Sequence, residues 1–501
     1  MQACAAPLSR GGLGLAPPPH PDPLPDAPRR LAALVARVRH DLEILDYPRG
    51  EWVQPRQHPS GQHVWDVVIV GAGQGGLAAW FGLWRERIRN VLVVDQAPRG
   101  REGPWVTYSR MWTLRSPKHV TGPDLGIPSL APRAWYEATY GEVAWDALDK
   151  WPREVWQAYL DWYRDTLDVP VRNLWRLDRI GWDAAAGLLE LDGSGGRLLA
   201  RKVILANGIE GSGAWRCPRF VAALPRERWH LCSEDFDSAL LRGRRVAVLG
   251  AGATAWDRAA DVLEHGAASL VLTMRRRRLP YANPFRTFEK AGYLRHFASM
   301  DDAARWRWMT VTFDFGQPPT QDSLNRCAAF PNFTLHRGAT WTGAALTAEG
   351  IALQFSDGST RVVDHLLVGT GFEVDLSLRP ELREVHHHIA LWRDVYAPPA
   401  DQAHEVCAGY PYLNPDLSFR ERTPGACPAL AEIHCFNYGA SVSNGFSGAS
   451  LTGMKYGIEP LLWGITRSFW MADEPTHFQE LATWDAVEID PSVLERRSGV
   501  G

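Results

Sequence analysis

The chain has 501 residues, of which 45% are hydrophobic and 22% are charged, so it is long enough for roughly two to four domains and is not a disordered chain. Its 54 Lys and Arg residues nearly balance 57 Asp and Glu residues, and the net charge of −3 argues against nucleic acid as a partner. The seven cysteines are an odd number without a C-x-x-C pair, which argues against a disulfide framework and a zinc ribbon.

The N-terminal region predicts no targeting or membrane segment. It lacks the apolar core of a signal peptide, and no stretch approaches the ~18 uninterrupted apolar residues of a membrane span. We therefore expect a cytoplasmic protein without a membrane partner. Residues 1–28 form a Pro-rich arm that we expect to be disordered, because proline removes backbone donors and fixes φ. Apolar residues at helical spacing then predict a helix and linker over residues 29–59.

A dinucleotide-binding pattern begins near residue 65. The apolar run 67–70 is typical of a buried parallel strand, and the glycines after it have G-x-G-x-x-G spacing. Such glycines allow a tight turn, a close approach of the backbone to a pyrophosphate, and a helix packed closely on the strand. A second strand, 91–94, ends at an acidic residue in the position that holds a ribose hydroxyl. The predicted cofactor contacts of this module are Gly71, Gly73, Gly76, Asp95 and Gln96.

Alternating apolar segments over residues 171–206 predict a small antiparallel meander. A second dinucleotide-binding pattern follows it. Here a strand over residues 246–249 leads into the G-x-G-x-x-A variant of the same turn, formed by Gly250, Gly252 and Ala255.

Four arginines, residues 275–278, stand where the second module would carry its ribose acid. Arg275 and Arg276 match a 2′-phosphate in charge and fork geometry, which favours NADPH over NADH. The alternative is a solvated charged face, which most charge runs are.

A second meander over residues 345–368 ends in a turn of small residues, Gly369, Thr370 and Gly371, which lets the backbone approach a cofactor. The two meanders bracket the second module, and this order predicts that the second module is inserted in the first. The predicted boundaries are 60–213 for the first part of the first domain, 214–364 for the inserted domain and 365–501 for the remainder.

Over residues 66–473 these motifs resemble the two-dinucleotide (class B) flavoprotein monooxygenases, which include flavin-containing monooxygenases, Baeyer–Villiger monooxygenases and amine N-hydroxylases. The resemblance implies an α/β fold of two Rossmann-like domains, with the NADPH-binding domain inserted in the FAD-binding domain. It implies FAD at the first motif and NADPH at the second. Gly103, Pro104 and Trp105 are similar to the family's G-G-x-W stretch, so Trp105 is expected to pack against the flavin. The turn at residues 369–371 is similar to the family's A-T-G-F or A-T-G-Y signature.

Residues 114–129 resemble the active-site loop of flavin-containing monooxygenases, with Arg115 near a position where those enzymes carry asparagine. Arg115 is therefore the candidate catalytic residue, and a structural arginine is the alternative. The Baeyer–Villiger fingerprint is only partly present: His230 has the expected spacing, but Leu224, Arg226 and Glu234 stand where Phe, Gly and Trp are expected. The glycine-rich residues 443–458 are expected to open a helix directed at the flavin.

Two histidine motifs predict packing rather than chemistry. Residues 386–388 are three histidines, but neighbours on a strand face opposite ways and no second ligand cluster is evident, so we predict no metal site. His434 and Cys435 are adjacent, and adjacent side chains rarely face each other.

The resemblance implies an FAD-dependent, NADPH-consuming monooxygenase that transfers one oxygen atom of O2 to a small organic substrate through a C4a-(hydro)peroxyflavin. Amine N-hydroxylation or S-oxygenation is slightly favoured, and Baeyer–Villiger oxidation of a ketone or aldehyde is the alternative. A flavin-binding NADPH oxidase or redox sensor is an alternative of another class. A dithiol reductase is disfavoured, because no two cysteines lie close enough in sequence to form a redox pair. A homo-oligomer is possible, and the sequence does not decide the oligomeric state.

Overall fold

The computed structural model describes residues 17–447, 450–490 and 492–494. Its central strands come from apolar, β-branched runs such as VWDVVIV, which is almost entirely buried because both faces of the sheet are covered. In chain order the strands are β1 Val64–Val70, β2 Val91–Val94, β3 Val171–Arg172, β4 Leu177–Asp183, β5 Leu188–Gly193, β6 Gly196–Leu205, β7 Gly213–Trp215, β8 Trp229–Leu231, β9 Arg245–Leu249, β10 Ser269–Met274, β11 Phe333–Arg337, β12 Trp341–Thr347, β13 Gly350–Phe355, β14 Thr360–Val363, β15 His365–Val368, β16 Phe372–Val374 and β17 Ile433–Cys435.

The larger sheet has the order β3-β2-β1-β6-β5-β4, with β17 also paired to β6. The strands β3, β2, β1, β6 and β17 are parallel, whereas β4, β5 and β6 form the predicted antiparallel meander. Val70 of β1 and Cys435 of β17 are both in register with Leu205 of β6. The strands β1, β6 and β17 therefore end side by side. The loops that follow these three strands therefore meet at one edge of the sheet, where open α/β sheets bind their ligands.

The second sheet is parallel, in the order β11-β10-β9-β15-β8. A three-stranded antiparallel sheet, β12-β13-β14, lies between β11 and β15 in the sequence. A two-stranded sheet joins β7 to β16. This architecture confirms the predicted fold class of two Rossmann-like units with small antiparallel meanders.

The chain leaves the first sheet after β6 and returns to it at β17, so the second unit is an insertion in the first. The observed end of the inserted unit differs from the boundary predicted after residue 364. The strand β15 pairs with β9, Leu366 opposite Ala247, and so belongs to the second sheet through Val368. An isolated apolar run carries no sign of which sheet it will join, so the sequence alone predicts a boundary one strand too early.

The helices begin where the sequence supplies a suitable first turn. Both dinucleotide motifs open a helix, at Gln74–Arg85 and at Ala253–Glu264, because their glycines leave the turn before the helix free to form. In chain order the helices are α1 Ala27–Ile44, α2 Gln74–Arg85, α3 Pro132–Tyr140, α4 Glu142–Ala147, α5 Arg153–Thr166, α6 Arg219–Ala222, α7 Ala253–Glu264, α8 Ala291–His296, α9 Asp302–Phe315, α10 Gln321–Ala328, α11 Trp392–Val395, α12 Glu405–Ala408, α13 Ser441–Asn444 and α14 Met454–Ala482.

Tryptophan side chains fill much of the interior. Trp151, Trp156, Trp175, Trp306 and Trp392 are essentially inaccessible to solvent. The rings of Trp151 and Trp156 meet edge to face at 5.3 Å, and the Trp151 Nε1–H donates to the carbonyl of Lys118, so its polar atom is satisfied while the ring is buried.

The N-terminal arm differs from its predicted description. Residues 1–16 lie outside the described residues, and residues 17–26 contain no helix or strand. The described part is nevertheless attached, because the Leu24 N–H donates to the Thr139 carbonyl at 2.9 Å and the His20 ring lies edge-on against Tyr140. The helix α1 begins two residues before the predicted start, since Pro28 suits a first turn that has no use for its missing N–H.

Among the described helices, none combines the length and the apolar composition needed to cross a membrane.

Candidate active site

The first glycine loop has the three positions of a pyrophosphate-binding turn. Gly71 has a φ of +108°, and a Cβ there would lie 2.5 Å from the Ala206 carbonyl oxygen. A Cβ on Gly76 would lie 1.8 Å from the Gly71 oxygen, so this position keeps α2 against β1. At Gly73, by contrast, the nearest atom to a Cβ is the Gly103 Cα at 4.0 Å. The first and third glycines are thus required by packing, and the second leaves an open cradle.

Asp95 ties this loop to the end of β2. Its carboxylate accepts the backbone N–H groups of Ala72 and Ala97, each at 2.7 Å. Burial raises the pKa of Asp95, and the two backbone hydrogen bonds oppose that rise. Gln96 follows on the exposed side of the strand end. The structure thus places both predicted residues at the mouth of the glycine loop.

The Gly103 turn faces the open cradle. Gly103 has a φ of +82°, and its Cα is the atom nearest to Gly73. Trp105 is partly buried against the main core, and its carbonyl oxygen accepts from Arg153 Nη1 at 2.7 Å. The predicted G-G-x-W stretch is therefore adjacent to the first loop. The backbone of its tryptophan is fixed by the hydrogen bond from Arg153.

The second glycine loop repeats the geometry of the first. Gly250 has a φ of +103°, and a Cβ there would lie 2.1 Å from the Gly369 oxygen. A Cβ on Gly252 would meet nothing within 4 Å, so the cradle is open here too. Ala255 is buried at the third position and would lie 2.7 Å from a Cβ on Gly369. The turn at residue 369 is therefore part of this loop's packing.

The other two residues of that turn lie at the surface between the units. Gly371 has a φ of +91° with free space around it, and the Thr370 hydroxyl donates to the Arg216 carbonyl at 2.6 Å. A cavity of about 450 Å³ adjoins Thr370, lined also by Trp215 and Glu373. The small-residue turn therefore borders both the second glycine loop and a surface cavity.

The arginines after β10 have different environments. All four are exposed, but the Arg276 guanidinium donates to the carbonyls of Asp314 and Phe315, at 2.6 and 2.7 Å. Those carbonyls end α9, so Arg276 is engaged by the helix terminus. Arg275 makes no such contact among the described residues, and it lies at the strand end where a 2′-phosphate is expected.

Arg115 lies at the contact between the two units. Its preceding residue is fixed because the Leu114 N–H donates to the Trp151 carbonyl at 2.8 Å. Burial lowers the pKa of the Arg115 guanidinium, and the carboxylate of Asp257 on α7 opposes that shift. The Nη2 atom is buried and has no hydrogen-bond partner among the described residues. A cation whose buried Nη2 group is unsatisfied is thus held where the first unit meets the second.

The polar contacts that hold the two units together here leave no sign in the sequence motifs. Arg110 Nε lies 3.2 Å from Asp261, and Arg326 forms a two-bond pair with Glu264 at 2.7 Å. Arg326 also donates to the Arg110 carbonyl, and its guanidinium lies 4.3 Å from the centre of the Trp112 ring. These contacts join a loop of the first unit to α7 and α10 of the inserted one. Nothing in the sequence marks residues so far apart as neighbours.

An aromatic cluster borders the same edge of the first sheet. It combines residues 285–313 of the inserted unit with residues 392–446 of the returning chain. Its buried members include Phe288, Phe297, Trp306, Trp392, Tyr410 and Phe446. The Tyr293 hydroxyl is buried in this cluster without a partner among the described residues. The cluster therefore joins the inserted unit to the returning chain through apolar contacts.

The histidines singled out in the sequence have different neighbours. His434 Nδ1 bonds to the Asp416 carbonyl, whereas the Cys435 thiol lies beside Asn437, so their side chains have separate partners. His230 Nδ1 lies 2.8 Å from His365 Nε2 on the neighbouring strand.

The local structure of residues 386–388 differs from the expected strand, whereas a helix does begin within residues 443–458 as expected. His386–His388 form a short 3₁₀ helix rather than a strand, and the described residues contain no group of three potential metal ligands. The helix expected to open over residues 443–458 begins at Met454, and residues 448–449 lie outside the described residues.

Comparisons with known proteins agree with this geometry. A family described as FAD-NAD(P)-binding matches residues 68–210. The FAD-dependent urate hydroxylase of Xanthomonas campestris pv. campestris is 44% identical over 460 residues, which cover 91% of this chain and 97% of that protein.

Solved structures share the fold at low identity. The ornithine hydroxylase of Pseudomonas aeruginosa has a TM-score of 0.62 at 16% identity and covers 81% of this chain and 99% of its own. The ornithine N-hydroxylase of Kutzneria sp. 744, solved with reduced FAD, NADP+ and L-ornithine, has a TM-score of 0.59 at 18% identity, with the same coverage. With two intact nucleotide cradles and 44% identity along nearly all of that enzyme, the chain belongs to the family of the FAD-dependent urate hydroxylase and is a flavin-dependent monooxygenase that uses FAD and a nicotinamide nucleotide.

Proposed function

We propose that this enzyme hydroxylates urate. The observation that carries the proposal is the 44% identity to the urate hydroxylase across 91% of the chain. The amine hydroxylases share 16 to 18% identity with this chain, a level at which only the fold is comparable. The urate hypothesis therefore replaces the slight preference for amine or sulfur oxygenation that the motifs alone favoured.

The two glycine loops fit the two nucleotides. In each loop the middle glycine faces free space, and the neighbouring backbone N–H groups at the start of α2 or α7 are available to a pyrophosphate. Gly71, Gly73, Gly76 and Asp95 would hold FAD, and Gly250, Gly252, Ala255 and Arg275 would hold NADPH. Bound FAD supplies the activation of O2 with electrons from NADPH.

Arg115 supplies a fixed positive charge between the two units. Urate is an anion near neutral pH, so a buried guanidinium with a free donor can pair with it or with negative charge that develops during oxygen transfer. The Arg110–Asp261 ion pair and the hydrogen bond from Arg326 to the Arg110 carbonyl keep the loop that carries Arg115 against the inserted unit. The aromatic cluster packs the inserted unit against the returning chain through apolar contacts, which adds to the contact between the two units.

The test is an assay of the purified holoenzyme with NADPH, isotopically labelled O2 and urate. We expect urate to accelerate NADPH consumption, and one labelled oxygen atom to appear in the product by mass spectrometry. Ornithine and a dialkyl sulfide, assayed in parallel, should give neither effect. Labelled product from ornithine and none from urate would support amine hydroxylation instead. NADPH consumption that yields only peroxide with every substrate would identify an oxidase.

A further inference from the structure

The C-terminal helix α14 has one face on the protein and another without a partner. Leu461, Ile465 and Phe469 are buried against the body, and Asp473 is buried beside Arg201, their side chains lying 3.5 Å apart. Beyond this contact the helix carries large apolar side chains that are 47% to 73% exposed. They are Trp463, Trp470, Met471, Phe478 and Leu481.

These exposed residues form a single stripe. At about 100° per residue, all five lie within an arc of roughly 100° on the helix, a width that normally faces a partner. Taking about 200 Å² for a whole large side chain, their exposed fractions amount to roughly 600 Å² of apolar surface. A stable interface uses roughly 800 Å² from each partner, so the stripe provides most of one side.

The stripe is symmetric about a point between Trp470 and Met471. Trp463 precedes this point by the same number of residues as Phe478 follows it, and Arg467 and Glu474 are related in the same way. Two copies of the helix packed antiparallel would therefore place each tryptophan opposite the partner's phenylalanine. Each arginine would also lie opposite a carboxylate of the other copy. Such self-complementarity is what a two-fold interface requires.

The side chains of the stripe are available for this contact. Within the described part of the chain, Arg467 lies 5.7 Å from the centre of the Trp463 ring, and neither Arg467 nor Glu474 forms an ion pair. The Trp470 ring stacks on His477 at 4.7 Å and lies 6.1 Å from Trp52. A ring already held in this way loses little conformational freedom on association.

We propose that the protein is a homodimer whose interface is the antiparallel pairing of two α14 helices, with Arg467 of each copy opposite Glu474 of the other. The occupant of the stripe is thus a second copy of this chain. Because the charges sit among desolvated apolar residues, reversing one of them creates two like-charge contacts per dimer.

The experiment is sedimentation velocity on the full-length holoenzyme over a micromolar concentration series. We expect the wild type to be dimeric. Arg467→Glu and Glu474→Arg should each raise the dissociation constant at least tenfold, and the double variant should restore dimerisation. Arg361→Glu, at an exposed position on β14, is the matched control and should leave the dimer intact. Flavin absorbance of each variant verifies folding.

Two results would overturn the proposal. One is a wild type that stays monomeric throughout the series, which would leave the stripe to another partner or to a segment outside the described residues. The other is a dimer that both single charge reversals leave unchanged, or that the double reversal fails to restore. That result would place the interface elsewhere or orient the helices differently.

Discussion

At the scale of single residues, Gly73 and Gly252 separate ligand binding from folding. Both have ordinary extended backbone angles, with φ near −70°, and a Cβ on either would meet no close neighbour. Any residue can adopt these conformations, so packing within the chain does not explain glycine there. The free space beside each glycine is explained by a nucleotide whose pyrophosphate approaches the backbone.

We predict that substitutions at these two glycines affect the binding of different cofactors. Gly73→Val should fold but purify with little FAD, because the side chain fills the first cradle. Gly252→Val should retain FAD while its KM for NADPH rises about tenfold or more, equivalent to about 1.4 kcal/mol or more of binding. Flavin absorbance and nucleotide titration measure the two effects. Gly76→Ala is the contrast, since its Cβ would collide with the chain and the variant should fold poorly. Normal FAD content in Gly73→Val would remove the first loop from the cofactor site.

Arg115 is predicted to act through its charge. Arg115→Ala should keep FAD bound but lower the rate of product formation about a hundredfold, or ~3 kcal/mol, as loss of a preorganised donor does elsewhere. More NADPH should then end as peroxide. Arg115→Lys, which keeps the charge, should recover part of the yield. Urea unfolding of both variants checks whether the residue is structural. A large loss of stability in Arg115→Ala, with a normal product yield from the folded fraction, would show that Arg115 is a structural residue.

At the scale of elements, the end of β10 shows why neighbouring arginines are not equivalent. Arg276 completes the C-terminus of α9, where unpaired carbonyls attract a cation. Of these two residues, Arg275 is free of such contacts in the described structure and is therefore the better candidate for the nucleotide.

We therefore predict different effects at these two positions. Arg275→Ala should reduce the preference for NADPH over NADH, because a 2′-phosphate loses its guanidinium partner. Arg276→Ala should change this preference less and lower stability by about 1 kcal/mol, through the lost hydrogen bonds at α9. The ratio of kcat/KM values for the two nucleotides and urea unfolding provide the measurements. If Arg276→Ala alone removed the preference, the assignment of roles would be reversed.

Sequence reasoning succeeded where the signal was local. The two glycine loops, the acid after β2 and the paired meanders depend on spacing within some thirty residues, and the structure has each of them. The pair Arg326–Glu264 and the aromatic cluster join distant segments, and no periodicity encodes such contacts. Arg276 shows the same limit. Its partner carbonyls lie at the end of a helix that the motif analysis did not include.

At the scale of the whole molecule, a buried histidine should make the free energy of unfolding depend on pH. His434 lies on β17 and is 1% exposed. Burial, together with the nearby charge of Lys202, lowers the pKa of His434 to about 4. An unfolded histidine has a pKa of about 6.5, so below that value the unfolded chain binds a proton that the folded protein refuses. Stability is therefore lost as the pH falls from about 6.5 to about 4.

The predicted contribution of His434 over this range is about 3 kcal/mol. His434→Gln has no titrating group and should lack this part of the pH dependence, so its free energy of unfolding should fall less between pH 7 and pH 4 (about 3 kcal/mol less). Urea unfolding at several pH values compares the two slopes. Identical slopes would show that His434 does not titrate in this range. The comparison uses slopes because the substitution also changes packing at every pH.

The paired connectors give the molecule a modular character. The chain enters the inserted unit after β7 and leaves it at β16, and these strands are hydrogen-bonded neighbours, with Trp215 opposite Phe372. The two ends of the insertion therefore lie next to each other. The first unit, into which the second is inserted, is the host unit. A foreign unit with similarly spaced ends can be joined at the same two strands without disturbing β6 or β17. We therefore expect chimaeras exchanged at residues 215 and 372 to retain flavin in the host unit while taking the nucleotide preference of the donor.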